Sequence, residues 1–262
     1  MDKLVETNRE RFWNPEAWVR DQWIKNEAQK IPPGSRVLDA GAGASKYQPF
    51  FAHCQYQTQD FCQYQGPLVK YLRPVDFVCD ITKIPLPAAT LDAVVCTEVL
   101  EHVTDPISVL REFGRLLKPG GRLLLTAPQA SPVHMEPYHY YGGFTHYWYR
   151  YWLPATGFEV DSIVVQGGPG RAVISAIQTY YMKWRAREQN LQGPWRLMSL
   201  AVRMSVKIPV HYLLPWLLPR FDASFDQTQF CIGLLVGATR LAQPNPNPAA
   251  SAPQPPSALR KP

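Results

Sequence analysis

Val37-Leu38-Asp39-Ala40-Gly41-Ala42-Gly43-Ala44-Ser45 decides how the rest of the chain is read. Short apolar residues over Arg36–Asp39 predict a strand, and it runs straight into a glycine loop. Glycine there lets backbone approach a ligand closely and turn tightly into a helix. The same pattern also serves as a plain strand-to-helix turn with no ligand. A dinucleotide fingerprint G-x-G-x-x-G would need glycine at 46, where Lys46 stands. That disfavours a nicotinamide enzyme.

Outward from this loop, strands and helical patterns alternate. Tyr56–Asp60 and Val75–Asp80 read as the second and third strands, and apolar Leu91–Thr97 as a fourth, suited to burial on both faces. Asp105-Pro106 caps a helix whose apolar positions are Ile107, Leu110, Phe113 and Leu117, and Pro119-Gly120-Gly121 ends it. Arg122–Thr126, Phe158–Val165 and Phe230–Arg240 complete the strands. Strands separated by helical patterns predict an α/β fold with a parallel, doubly wound sheet. Ligands in such sheets sit at the carboxyl ends of the strands. Asp60, 19 residues after Gly41, is placed there to accept ribose hydroxyl protons, and also reads as a helix cap or surface acid. Asp80 can accept from an adenine amino group while Ile81 packs on the ring; Asp80 reads equally as a turn residue.

The 262 residues carry a formal net charge of +6, 46% apolar residues and 18% charged ones, against ~25% in ordinary domains. Wholesale disorder is excluded by that composition. No run approaches the ~18–20 uninterrupted apolar residues of a spanning helix. The best, Ile208–Pro219, is short and holds three prolines and a histidine. Met1–Lys30 is charged throughout, which argues against a secretory leader. Five cysteines with no C-x-x-C pair fit a reducing, cytoplasmic setting, and no metal site is expected. Residues 1–35 are expected to form a helical cap, with Phe12, Trp18, Trp23 and Ile24 on one apolar face and charges opposite. Residues 36–240 are the main domain, 167–229 a helical basic insertion, and 241–262 a disordered Pro/Ala-rich tail.

Four motifs carry a family resemblance: V-L-D-A-G-A-G (37–43), C-D-I-T-K-I-P-L-P (79–87), L-D-A-V-V-C-T-E-V-L-E-H-V-T-D-P (91–106) and L-K-P-G-G-R-L-L-L-T-A-P (117–128). In this order and spacing the chain resembles the class I S-adenosylmethionine-dependent methyltransferases, type-11-like. The match runs from Arg36 to about Val165, with a looser return at Phe230–Arg240. The resemblance implies a Rossmann-like fold with a mostly parallel seven-stranded sheet, an antiparallel last strand and a helical insertion before it. It implies S-adenosylmethionine as cofactor. Gly41 and Gly43 would lie against its methionine part, Asp39 would anchor the ammonium, Asp60 the ribose, and Asp80 with Ile81 the adenine. Thr97 and Glu98 would line the pocket near the sulfonium. Ser45 stands where many members have a third glycine. Gly142-Gly143 and His139 replace a basic residue and an acid common in the family's substrate segment.

An oxygen or ring-carbon acceptor would benefit from a general base. His139, His146 and His102 are the expected catalytic residues, with His134 in the same stretch between the fifth and sixth strands. Tyr138, Tyr140, Tyr141 and Phe144 are expected near substrate, and Tyr147–Trp152 mainly in the core.

The charge is uneven. Residues 171–220 hold eight Lys/Arg and one acid, Glu188, a net of +7, while 1–170 is slightly acidic. Arg196, Arg203 and Lys207 form a stripe on one helix. The segment reads as a solvated cap, or as a surface that inserts Trp184, Trp195, Trp216 and 210–219 shallowly beside anionic lipid. Nucleic acid is disfavoured, since no binding signature is present. The resulting expectation is methyl transfer to a small or lipid-like acceptor, at oxygen. The rival is a non-catalytic module of the same fold serving as a membrane-associated scaffold or partner-binding protein.

Overall fold

The computed structural model describes residues 14–71 and 73–242. They fall into two compact units, one running to Val164 and resuming at Gly233, the other spanning Val165–Ile232. Phe12, the start of the expected 1–35 cap and the expected tail beyond Ala242 lie outside the described residues.

Helix α1, Pro15–Ala28, opens the first unit. The Ala17 N–H donates to the Asn14 side chain at 3.2 Å, and Pro15 takes the first turn, where a missing donor costs nothing. Ile24 and Ala28 pack into a core with Val37, Phe51, Ala93 and Leu124. Not all of the charges expected opposite the apolar face reach solvent. Asp21 and Glu27 are buried. Asp21 pairs with Lys46 at 2.5 Å and accepts from the Tyr47 hydroxyl at 3.2 Å. These bonds tie α1 to the end of the glycine loop.

The sheet holds β1 (Arg36–Ala40), β2 (Gln55–Asp60), β3 (Phe77–Val78), β4 (Leu91–Thr97), β5 (Leu117–Pro128), β6 (Phe158–Gln166) and β7 (Gly233–Arg240). Their order is β3-β2-β1-β4-β5-β7-β6. Strands β1 to β5 pair parallel, and β7 runs antiparallel to β5, with Leu125 opposite Val236. This is the Rossmann-like, mostly parallel seven-stranded sheet with a reversed last strand that the resemblance implied. Val94, Val95, Leu123, Leu125 and Leu235 are fully buried, as a sheet covered on both faces requires. Helix α2, Pro106–Leu116, is capped by Asp105, which accepts from the Ser108 N–H at 3.0 Å. It buries Val109, Leu110, Phe113 and Leu116. Helix α3, His146–Ala155, precedes β6. On α3 only Tyr149 and Leu153 are buried, while Tyr147 and Tyr151 are exposed, which corrects the expected core role of 147–152.

The third strand is far shorter than the expected Val75–Asp80. Side chains compete with its ladder. Asp76 accepts from both the N–H and the hydroxyl of Thr58 at 2.8 Å, and Asp80 does the same for Thr82.

The second unit contains α4, Pro169–Glu188, and α5, Gly193–Ile208. The chain continues helically from α5 to Ser224, through a π turn, α6 (Leu214–Leu217) and a 3₁₀ stretch. Trp184 donates to Ser199 at 2.7 Å, and the Tyr181 and His211 rings meet edge to face at 4.8 Å. Arg203, expected on a basic stripe, is paired with Glu188, the one acid of 171–220. The helical run Gly193–Ser224, 32 residues, is long and apolar enough to cross a membrane, and 11% of its most apolar stretch is buried. The sequence expectation concerned a narrower feature than this helix. It rested on uninterrupted apolar runs, whereas the helix carries its apolar residues around scattered charges.

Candidate active site

A cavity of about 350 Å³ opens at the carboxyl ends of β1, β2 and β4. One wall is Gly41, Gln59, Asp80 and Ile81; the other is Val99, His102, Tyr138 and Tyr140. Phe61 stands between them, edge-on to Tyr138 at 5.1 Å. The volume lies in the range of small-molecule sites.

Gly41 has φ +74°, a conformation that strains L side chains, and an added Cβ would sit 2.3 Å from a Val99 methyl. The loop is held against β2. Gly41 and Ala42 N–H groups donate to the Gln59 carbonyl at 2.8 and 2.9 Å, and the Gly43 N–H to Asp60 Oδ2 at 2.9 Å. Gln59, which sequence reasoning missed, spans the wall: its Oε1 accepts from Gly41 at 3.2 Å and its Nε2 donates to the Cys79 carbonyl at 2.7 Å. The signal was available, because consecutive strand residues face opposite sides and only one of Gln59 and Asp60 can face a given wall.

The expected cofactor residues are distributed unevenly. Gly41, Asp80 and Ile81 line the cavity. Asp60 is buried. Besides Gly43 it accepts from the Cys62 N–H at 2.9 Å and the Tyr71 hydroxyl at 3.0 Å. Asp39 lies beneath the loop and accepts a short bond from Tyr56. Burial, with a smaller contribution from the Asp60 charge, pushes its carboxyl up to about 7 against the Tyr56 bond. Thr97 ends β4 opposite Thr126. Glu98, at φ +54°, accepts from the Thr126 hydroxyl at 2.8 Å and pairs with Arg20 at 3.2 Å. Burial, assisted by the nearby Glu98 charge, pushes Glu101 up to about 8.

On the acceptor side, the Tyr140 and Tyr141 N–H groups donate to the Glu101 carbonyl at 2.9 and 3.2 Å, and the Tyr141 hydroxyl to the Thr104 carbonyl at 3.0 Å. These bonds dock segment 138–141 on the β4 exit. Phe144 lies elsewhere, buried against Trp148 at 4.7 Å. His102 Nδ1 lies 2.6 Å from the Tyr138 carbonyl. A carbonyl only accepts, so Nδ1 carries the proton and Nε2 the lone pair. Burial, with repulsion from His134 and His139, lowers the pKa of His102 below the ordinary imidazole value. Of the three histidines expected to be catalytic, His102 and His139 come together, ring centroids 5.6 Å apart, and His134 joins them. His146 stands apart at the start of α3, beside Tyr147.

The family described as "Methyltransferase domain" matches residues 38–125. A ubiquinone biosynthesis O-methyltransferase from Xanthomonas axonopodis pv. citri (strain 306) is 35% identical over 125 residues, 44% of this chain and 51% of that protein. A mouse protein, provisionally named tRNA methyltransferase 9B, is 33% identical over 115 residues, 42% of this chain and 24% of that one. The chain thus spans about half or less of the length of these relatives. A Galdieria sulphuraria structure, provisionally named a sarcosine dimethylglycine methyltransferase, superposes with TM-score 0.54 at 14% identity, covering 85% of each chain, which bears on the fold alone. Residues 38–125 thus match a methyltransferase-domain family, and the sheet order is that of the Rossmann-like methyltransferase fold.

Proposed function

We propose that this chain is a class I, S-adenosylmethionine-dependent methyltransferase that moves a methyl group to an oxygen of a small or lipid-like acceptor. One observation carries the reading: a single cavity joins Gly41, Asp80 and Ile81 to His102, Tyr138 and Tyr140. The chain's residues fit the cofactor. Gly41 leaves the wall open where a Cβ would collide with Val99, Asp80 offers a carboxylate at the mouth, and Ile81 an apolar surface. When bound, S-adenosylmethionine supplies a methyl group already activated on a sulfonium.

The remaining work is positioning and proton handling. Tyr138 and Phe61 form an aromatic wall that suits a planar or apolar acceptor and excludes water. The Tyr138 carbonyl holds the His102 ring so that Nε2 accepts the acceptor's hydroxyl proton. Alignment is worth ~7–11 kcal/mol, and a base a further ~10²–10⁴-fold. The O-methyl transfer in the Xanthomonas relative's name supports oxygen as the acceptor atom. Calorimetry with S-adenosylmethionine, followed by transfer of labelled methyl to extract fractions, tests the proposal. Absence of binding would instead favour the non-catalytic scaffold.

A second reading concerns the Val165–Ile232 unit. We propose that it rests on anionic membrane in a cytoplasmic setting. Trp195 and Leu197 on α5 are 66% and 70% exposed, and Trp216 is 58% exposed. Together with a net +7 over 171–220, these suit shallow insertion beside anionic headgroups.

A further inference from the structure

We propose that His102, His134 and His139 form a site for one divalent transition-metal ion of the zinc class. The three residues come from two segments, the β4 exit and the stretch between β5 and α3. Each ring offers a nitrogen, and the three nitrogens lie within 4.8 Å of one another. The rings cross at 71–85°, with centroids 4.6, 4.7 and 5.6 Å apart. Stacked rings could not converge on one point, whereas near-perpendicular rings can.

The outer contacts match what metal-bound imidazoles need. His102 Nδ1 donates to the Tyr138 carbonyl at 2.6 Å, and His134 Nδ1 to the Pro132 carbonyl at 3.0 Å. On both rings the lone pair is therefore left on Nε2, and the ring orientation is held by backbone. His139 Nδ1 is buried and has no hydrogen-bond partner among the described residues. Glu101, buried, lies 3.8 Å from His102 Nε2. Zinc–imidazole bonds of ~2.0–2.1 Å imply nitrogen–nitrogen spacings of about 3.3 Å, so the cluster closes by side-chain rotation of little more than about 1 Å. Three imidazoles select zinc, copper, nickel or iron over magnesium or calcium.

The site touches the acceptor wall through His102, which lines the cavity. It goes beyond the proposed function, because occupancy would commit the lone pair that the base role uses and would present a cation to an acceptor oxygen instead. Binding is read without turnover, so it stands or fails separately from methyl transfer.

The test uses the full chain, dialysed against a chelator. Co²⁺ is titrated while visible absorbance is followed, and Zn²⁺ by calorimetry. One ion per chain is expected, with a visible Co²⁺ band that Zn²⁺ abolishes. His134→Gln and His139→Gln should each weaken Zn²⁺ binding about tenfold or more, while His53→Gln changes nothing. Zn²⁺ should also protect three histidines of the unsubstituted chain from diethylpyrocarbonate, a reading that needs no variant. No saturable binding, binding indifferent to both substitutions, or no protection would overturn the proposal.

Discussion

The Tyr138 carbonyl lies 2.6 Å from His102 Nδ1, so the backbone of one loop sets the tautomer of a histidine 36 residues earlier. The base role of Nε2 depends on that bond. His102→Gln is expected to lower kcat by about 10²–10⁴-fold with a much smaller change in KM. Burial lowers the His102 pKa, so activity of the unsubstituted chain should be flat through pH 7 and fall only below the ordinary imidazole range. Initial rates across pH check both. A variant with unchanged kcat would remove His102 from the chemistry.

Gly41 and Gly34 make a controlled pair. Both have positive φ, +74° and +79°, but only at Gly41 would a Cβ meet a neighbour, 2.3 Å from Val99. Gly34→Ala should cost ~1–2 kcal/mol of backbone strain and leave S-adenosylmethionine affinity intact. Gly41→Ala should cost more and weaken that affinity at least about tenfold. Melting curves and calorimetry on the two variants separate strain from lost space. Equal affinities would show that the loop is a plain turn.

Ser45 has φ +54° at the place where the family often carries glycine. A serine there spends ~1–2 kcal/mol on the left-handed conformation, and glycine recovers it less ~0.5–1 kcal/mol of added chain entropy. Ser45→Gly is expected to be neutral or to stabilise by up to about 1.5 kcal/mol, read from urea midpoints. A clear loss would mean that the serine side chain has work in the loop.

Asp39 and Glu101 are carboxyls that burial has pushed up to about 7 and about 8. Between their ordinary values near 4 and these raised ones, the folded state holds protons that the unfolded state has released. Stability therefore falls as pH rises from about 4 to about 8. Asp39→Asn and Glu101→Gln should each flatten that slope. S-adenosylmethionine binding should strengthen as pH rises through 7, where Asp39 becomes able to meet an ammonium as a carboxylate. Urea unfolding and calorimetry across pH measure both slopes; an upward stability slope would contradict the assignment.

Vesicle flotation tests the second unit. Anionic vesicles should bind the chain at low salt and release it at high salt, while zwitterionic vesicles do not bind it. Arg196→Gln should weaken binding about fivefold, from ~1 kcal/mol per near-surface charge. Arg203→Gln should act on stability instead, because Arg203 is engaged with Glu188. No flotation at low salt would reject the membrane contact.

Much of this was legible from local sequence. Val37–Gly43 specified a strand and loop because consecutive residues alone determine backbone freedom and burial period. The spacing of Asp60 and Asp80 placed both near strand ends, and the Asp105-Pro106 cap marked α2. Residue type and local spacing could not show how those groups are used. Asp60 also accepts from the Gly43 and Cys62 N–H groups and the Tyr71 hydroxyl, partners that its spacing from Gly41 does not show. Phe144 packs away in the core, and Gln59 stands on the cavity wall.

The sequence by itself determined the parallel sheet, the glycine loop and the concentration of cations in 171–220, since each follows from neighbours along the chain. Only the tertiary structure decided that His102, His134 and His139 meet while His146 stays apart, and that Arg203 faces Glu188 instead of solvent. Those outcomes depend on where loops distant in sequence dock and on which helix faces are buried, and neither has a local period to read.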